Sequence, residues 1–156
     1  MTTKLTARAA TLDDALYLAS RLRQEDLSEI QANSGQTPEA SIRAGLTAGE
    51  AWVAEDDEGP VAIFGLIPSP PPLGGVPWML ATPRFLDHQR QFLRECRQWI
   101  ETMLARFPIL TNVVDARNAL HVRWLLWCGF QVVNKLPEFG AGKLPFIHMM
   151  KVADHV

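Results

Sequence analysis

Two cysteines, one tyrosine and no long apolar run are what this 156-residue sequence has least of. Cys96 and Cys128 stand in no CxxC spacing and near no His pair, which excludes a zinc ribbon and a disulfide framework. They read as buried thiols kept reduced. An uncharged apolar stretch such as Val61 to Ile67 falls far short of the ~20 residues that a membrane span needs. The opening MTTKLTARAATLDDAL lacks the apolar centre of a secretory leader, so the expectation is a cytoplasmic protein. An excess of charge of one sign is also missing. Fifteen Lys plus Arg against seventeen Asp plus Glu leave a formal charge of −2, with no positive field to gather a phosphate backbone. Neither nucleic acid nor a membrane surface is an expected partner. No internal repeat or low-complexity tract appears, and a single domain over 1–156 follows.

Apolar residues at 47% and charged residues at 21% match an ordinary folded domain, and a chain of this length buries roughly 70% of its extended surface. Leu5 to Ala10 reads as a short strand. Thr11 with Asp14 three residues on forms an N-cap signal, and Leu12, Ala15, Leu16, Ala19 and Leu22 keep helical spacing. The helix continues, or restarts, through Leu27 and Ile30 until Asn33-Ser34-Gly35 stops it. Thr37 before Pro38 caps a second helix running to Gly49. Ala51–Glu55 and Val61–Ile67 are strand-like runs joined by the turn Asp56-Asp57-Glu58-Gly59. PSPPPLGGVP (68–77) predicts a stiff surface loop, because proline cannot donate to a ladder. Its Pro68-x-x-Pro71 spacing also fits a proline-recognition ligand, though no basic residue flanks it.

Val76 to Ala81 predicts another strand. Phe92, Cys96, Trp99, Ile100, Met103, Leu104 and Phe107 define the longest amphipathic helix, ended by Pro108. A buried strand follows over Ile109–Val114. Then comes DARNALHVRWLLWCGF (115–130), a strand end and a helix closed by Gly129. Phe130–Leu136 and Phe146–Val152 complete the sheet, with Gly140-Ala141-Gly142 between them. The order is βααβββαβαββ.

That order, with the quoted stretch, resembles the GNAT acetyltransferase superfamily over essentially the whole chain. The family motif Asn-x-x-Ala-x-x-Leu-Tyr-x-x-x-Gly-Phe lays without gaps on Asn118, Gly129 and Phe130, with Val122 at an apolar position between them. The resemblance implies an α/β (α+β) fold with a mixed, mostly antiparallel central sheet flanked by helices. It also implies an acetyl-CoA site between two splayed strands, with the pyrophosphate on backbone amides at the start of the long helix. The family writes that turn with small residues, whereas LATPRFLDHQRQFLREC (80–96) has no glycine and places Gln89 and Gln91 there. Arg90 and Arg94 are the candidates to hold the phosphates instead; with Arg97 they equally form a solvated face.

The resemblance implies a role for Asn118 in holding the pantetheine arm; on its own chemistry it is a helix cap. Asp115 could orient Arg117 or a ligand, or cap the helix in place of Asn118. Leu125 stands at the family's acid Tyr, and Tyr17, the only tyrosine, reads as packing. Glu25, Asp26 and Glu29 fall on the segment that lines the family's acceptor pocket. One of them is a candidate general base, with a solvated acidic face as the alternative. His88, His121, His148 and His155 show no metal spacing, and His121, if buried, calls for a hydrogen-bonded neutral ring. Trp124 and Trp127 read as core or near-core residues, or as a ring platform for a ligand. Cys128 reads as a core thiol.

A narrower resemblance joins VDARNALHVRWLLWCGF, EDLSEIQANSG and VPWMLATPRFLDHQRQFLR to a GNAT-like group of phage proteins related to an internal virion protein of short-tailed phages. It implies a phage or prophage origin, a degenerate acetyltransferase acting by binding with no cofactor required, and phage structural proteins as partners in or around the virion. The alternative is a working acetyl-CoA-dependent N-acetyltransferase with an atypical pyrophosphate site.

Overall fold

The computed structural model describes residues 3–69 and 74–154. Its strands are β1 (Thr6–Ala9), β2 (Glu50–Asp56), β3 (Gly59–Ser69), β4 (Gly74–Ala81), β5 (Ile109–Asp115), β6 (Gln131–Phe139) and β7 (Leu144–Val152). The helices are α1 (Leu12–Ala19), α2 (Gln24–Asn33), α3 (Pro38–Ala48), α4 (Gln89–Arg106) and α5 (Ala119–Trp127). One seven-stranded sheet runs in the order β1-β2-β3-β4-β5-β7-β6, antiparallel except where β4 meets β5. No helix among the described residues is long and apolar enough to cross a membrane.

The helices begin where side chains satisfy their first amides. Thr11 Oγ1 accepts from Asp14 N and Asp14 Oδ2 accepts from Thr11 N at 2.7 Å, a reciprocal capping box. Thr37 Oγ1 accepts from Ala40 N, with Pro38 in the first turn. The 12–33 segment is two helices, α1 and α2, because the chain turns at Ser20 to Arg23. Pro108 follows Phe107, the C-cap of α4, where its missing donor does not interrupt the helix.

Helices α1, α2 and α3 cover one sheet face with Leu18, Ile30 and Ile42 against Val53 and Ile63. The Trp78 ring lies so close to Gly45 and Gly65 that a Cβ on either would meet it at 2.6 Å. The other face is covered by α4 and α5, with Cys96, Met103, Leu125 and Phe130 against Leu110 and Met149.

Residues 68–77 depart from the expected loop. β3 runs on to Ser69 and β4 begins at Gly74, so Pro68 pairs with Gly75 and Pro77 with Leu66. Antiparallel pairs alternate between bonded and non-bonded positions, and a proline fits where its nitrogen faces away from the partner. Pro77 faces the side where β5 has already separated, and Pro68 lies beyond the last β2 partner of β3, Glu50 opposite Leu66. Residues 70–73, and with them Pro71 of the proline-ligand spacing, lie outside the described residues, as does His155.

A 3-10 helix over Pro83–His88, not anticipated from sequence, leads into α4. It is pinned to the β2–β3 turn: Asp56 Oδ2 accepts from Arg84 Nη1 at 2.6 Å and lies 3.0 Å from His88 Nε2. Asp56, Asp57 and Glu58 bring carboxylate oxygens within 4.8 Å of one another, but Asp56 Oδ2 is already taken by the Arg84 guanidinium and the His88 ring.

Candidate functional site

β4 and β5 pair only at Gly74–Ile109 and Gly75–Leu110, then diverge. The gap this opens ends at Ala81 on one strand and Asp115 on the other. A divergence of parallel strands exposes backbone donors and acceptors that need partners. Here the chain's own side chains supply them.

Near the closed end of the gap, Asn112 Nδ2 donates across it to Pro77 O at 2.8 Å. At its open end, Ala81 N donates to Asp26 Oδ2 at 2.9 Å, and Ala81 O accepts from Arg23 N at 2.8 Å. On the opposite strand, Asp115 N donates to Glu29 Oε1 at 2.7 Å. The first two turns of α2 therefore act as a substitute partner for both strand ends.

Two of the three acidic residues singled out in this segment thus sit in the gap. Asp26 is 2% exposed and pairs with the buried Arg23, whose Nη2 donates to Asp26 Oδ1 at 3.0 Å. Asn118 closes the set: its Nδ2 donates to Asp26 Oδ1 at 3.1 Å, and its Oδ1 accepts from Arg23 Nη2 and from His121 N. Asn118 is the N-cap of α5 and a member of this buried network at once. Glu25 differs: its side chain is half exposed and, among the described residues, meets only Arg23 Nη1, at 3.2 Å. Arg23 carried no motif in the sequence, and Asn112 looked like any polar residue in a strand.

Asp115 is buried and takes the Arg117 backbone amide and guanidinium rather than capping α5. Burial pushes its carboxyl pKa up, but the Arg117 contacts outweigh that and hold it below the ordinary value.

His121 Nδ1 lies 3.3 Å from Glu29 Oε2. That is ion-pair distance, but the approach is out of line for a directed hydrogen bond. Nδ1 and Trp78 Nε1 are the buried side-chain polar atoms left without a hydrogen-bond partner among the described residues. Burial alone would lower the His121 pKa; Glu29 and Asp26 outweigh it, so the pKa is raised. Against the expected hydrogen-bonded neutral ring stand the absence of an in-line partner at Nδ1 and these neighbouring carboxylates, which favour the proton.

The start of α4 is covered by the chain's own N-terminal segment. Leu5 N donates to Gln91 Oε1 and Gln91 Nε2 donates to Leu5 O, both at 2.8 Å. Gln91 is buried by this pairing, and Gln89 donates to Leu86 O. Arg90 and Arg94 are exposed and have no ion pair among the described residues; with Thr3 and Lys4 they border an open depression.

Between α4 and α5 the space is filled by rings. Trp124 packs on Phe85 at 4.5 Å and on Phe92 at 4.8 Å between centroids. At the surface, the Arg97 guanidinium lies 3.9 Å from the Trp127 ring centre, Arg97 Nε donates to Trp127 O, and Trp127 Nε1 donates to Leu93 O. Trp124 is core, whereas Trp127 is 43% exposed and fastens the two helices from outside. Tyr17 packs with the α1–α3 core under the Arg21 guanidinium. Beneath α4 and α5 an apolar cavity of about 130 Å³ remains, bordered among others by Phe64, Met79, Trp99, Trp124, Cys96 and Cys128.

A pantetheine arm entering the gap would have to displace the chain's own side chains. Its amides would compete with Asn112 at Pro77 O and with Asp26 at Ala81 N, and Pro77 itself has no N–H to offer. A pyrophosphate would meet Gln91 and Leu5 where open backbone is needed.

No protein-family model matches the sequence, and no curated protein matches it significantly. Solved structures do match in fold. A spermidine N-acetyltransferase from Vibrio cholerae in complex with CoA and spermine superposes with a TM-score of 0.70 at 17% identity, covering 96% of this chain and 95% of that one. A GCN5-related N-acetyltransferase from Kribbella flavida gives 0.66 at 17% over 95% and 97%. An acetyltransferase of the GNAT family from Streptococcus pneumoniae gives 0.63 at 14% over 96% and 99%. At these identities the likeness establishes the GNAT fold; the expected mixed, mostly antiparallel sheet with flanking helices is observed, while three helices stand between β1 and β2 where the sequence order had two, because the first divides at Ser20 to Arg23.

Proposed function

We propose that this chain is a GNAT-fold protein whose acetyl-CoA cleft is occupied by its own side chains, a degenerate acetyltransferase that acts by binding. The observation that carries the reading is the triple substitution in the gap: Asn112 on Pro77 O, Asp26 on Ala81 N, Glu29 on Asp115 N. Breaking such contacts to admit a ligand strands a buried charge or an unpaired amide, at about 1–3 kcal/mol for each neutral group and more for the Arg23–Asp26 pair. A role in virion assembly, with phage structural proteins as partners, rests on the narrower sequence resemblance alone.

A second reading has the solved neighbours on its side: an acetyl-CoA-dependent N-acetyltransferase with an atypical pyrophosphate site. The shared fold, the splay of β4 from β5, and a neighbour solved with CoA and spermine favour it. In that case Arg90 and Arg94, exposed beside the start of α4, supply the charge that small residues and open amides supply in the family. Glu29, beside His121, is then the acidic residue placed to accept an amine's proton.

Isothermal calorimetry with acetyl-CoA separates the two. The first reading expects no saturable heat. One site per chain with micromolar affinity, weakened about tenfold or more in Arg90→Ala or Arg94→Ala, overturns it in favour of the enzyme.

A further inference from the structure

Cys96 in α4 and Cys128 at the end of α5 are both buried, and their Sγ atoms lie 3.5 Å apart. Nothing in their spacing along the chain announces this. Packing α5 against α4, fastened outside by Arg97 and Trp127, brings the two thiols together. Both also border the cavity of about 130 Å³, which is roomy enough for a molecule of two heavy atoms, since one water needs only about 10–15 Å³.

The pair is chemically unequal. The Cys128 S–H donates to Cys96 Sγ, which holds the Cys96 thiol below its ordinary range; burial opposes this, and the Arg97 amide and charge add to it. Cys128 is pushed up by the same hydrogen bond and by burial. Of the two, Cys96 therefore gives up its proton more readily, and a thiolate is the form that attacks an oxidant. Reaching the S–S bond length of about 2.05 Å asks each sulfur to move about 0.7 Å.

We propose that Cys96 and Cys128 form an oxidisable dithiol, a modification site at which hydrogen peroxide entering the cavity makes a disulfide that ties α4 to α5. The Cys96 sulfur attacks one peroxide oxygen and the O–O bond breaks. The departing hydroxide takes the Cys96 thiol proton and leaves as water, with Cys96 as the sulfenic acid. The Cys128 sulfur then attacks the Cys96 sulfur, the S–O bond breaks, and hydroxide leaves with the Cys128 proton as a second water. Two thiols are oxidised and one peroxide is reduced. The product bars α4 and α5 from parting over the β4–β5 gap, whichever function the cleft serves.

The test uses the full wild-type chain, folded and reduced, treated with near-stoichiometric hydrogen peroxide. Intact mass is expected to fall by two hydrogens, and non-reducing peptide mapping to join the Cys96 peptide to the Cys128 peptide. The melting temperature is expected to rise by roughly 5–15 °C and to return on adding dithiothreitol. Cys128→Ser is expected to stop at a sulfenic acid on Cys96 that dimedone traps. Retention of both thiols after treatment, disulfides only between molecules, or sulfinic acid at Cys96 without a linked peptide each overturns the proposal. Because the mass and peptide readouts are taken on the wild type, they decide the matter even if Cys128→Ser misfolds.

Discussion

At the scale of single residues, Asp26 has the most to lose. Its carboxylate holds the Arg23 guanidinium, the Ala81 amide and the Asn118 amide, all in the interior. Asp26→Ala leaves Arg23 charged and buried without its close partner, and equilibrium urea denaturation is expected to show a loss of about 3–5 kcal/mol. A loss below about 1 kcal/mol would mean that the network is open to water. His121 gives a pH signature. Burial lowers its pKa, Glu29 and Asp26 raise it more, and the folded value ends above the ordinary 6.5. A group that holds its proton more tightly when folded adds stability fully below its unfolded pKa and loses it as pH rises through the folded one. Stability is thus expected to fall as pH rises above about 6.5 and through the raised folded value in the wild type, and to fall less in His121→Gln. Asp14 runs the other way. Arg8 and the Thr11 contacts hold its carboxyl below the ordinary 3.8 against the opposing effect of burial, so its contribution is present above that value and disappears in acid. Asp14→Asn is expected to flatten the acid limb of the stability profile.

At the scale of elements, two junctions are decided by one residue each. Gln91 joins α4 to the chain just before β1 through its paired hydrogen bonds with Leu5. Gln91→Ala leaves a buried amide and carbonyl unmatched, and is expected to cost about 1–3 kcal/mol and to speed hydrogen exchange at Leu5. Unchanged exchange there would show that the N-terminal segment is held by its apolar contacts. Gly129 ends α5 at φ +92°, where a side chain is strained, and a Cβ would also displace Lys151 Nζ. Gly129→Ala is expected to lower stability by about 1 kcal/mol or more in thermal melts. The cap residues Thr11 and Thr37 and the terminator Pro108 were legible in the sequence, because the groups they satisfy or remove lie within four residues of them. The ladder positions of Pro68 and Pro77 were not. Whether a proline is tolerated depends on which way its nitrogen faces relative to a distant strand.

At the scale of the whole molecule, the cleft between β4 and β5 belongs to the fold, and its occupants belong to this chain. α2 reaches both strand ends through Asp26 and Glu29, while Asn112 bridges the gap near its base. Removing two of the three gap contacts with the double variant Asp26→Ala, Asn112→Ala is expected to leave calorimetry with acetyl-CoA flat, because Glu29 remains on Asp115 N and Gln91 and Leu5 still cover the start of α4. Saturable binding gained in this variant would show that the gap alone decides access.

By itself the sequence determined the succession of strands, the caps, and the apolar faces that select this fold, since all of these follow from short-range spacing and local backbone chemistry. Only the tertiary structure decided that Arg23, Asp26 and Asn118 share one buried network, that Asn112 reaches Pro77, and that Cys96 meets Cys128. The reason is distance along the chain: these partners are mostly 32 to 95 residues apart, and nothing in either residue's neighbours encodes the other.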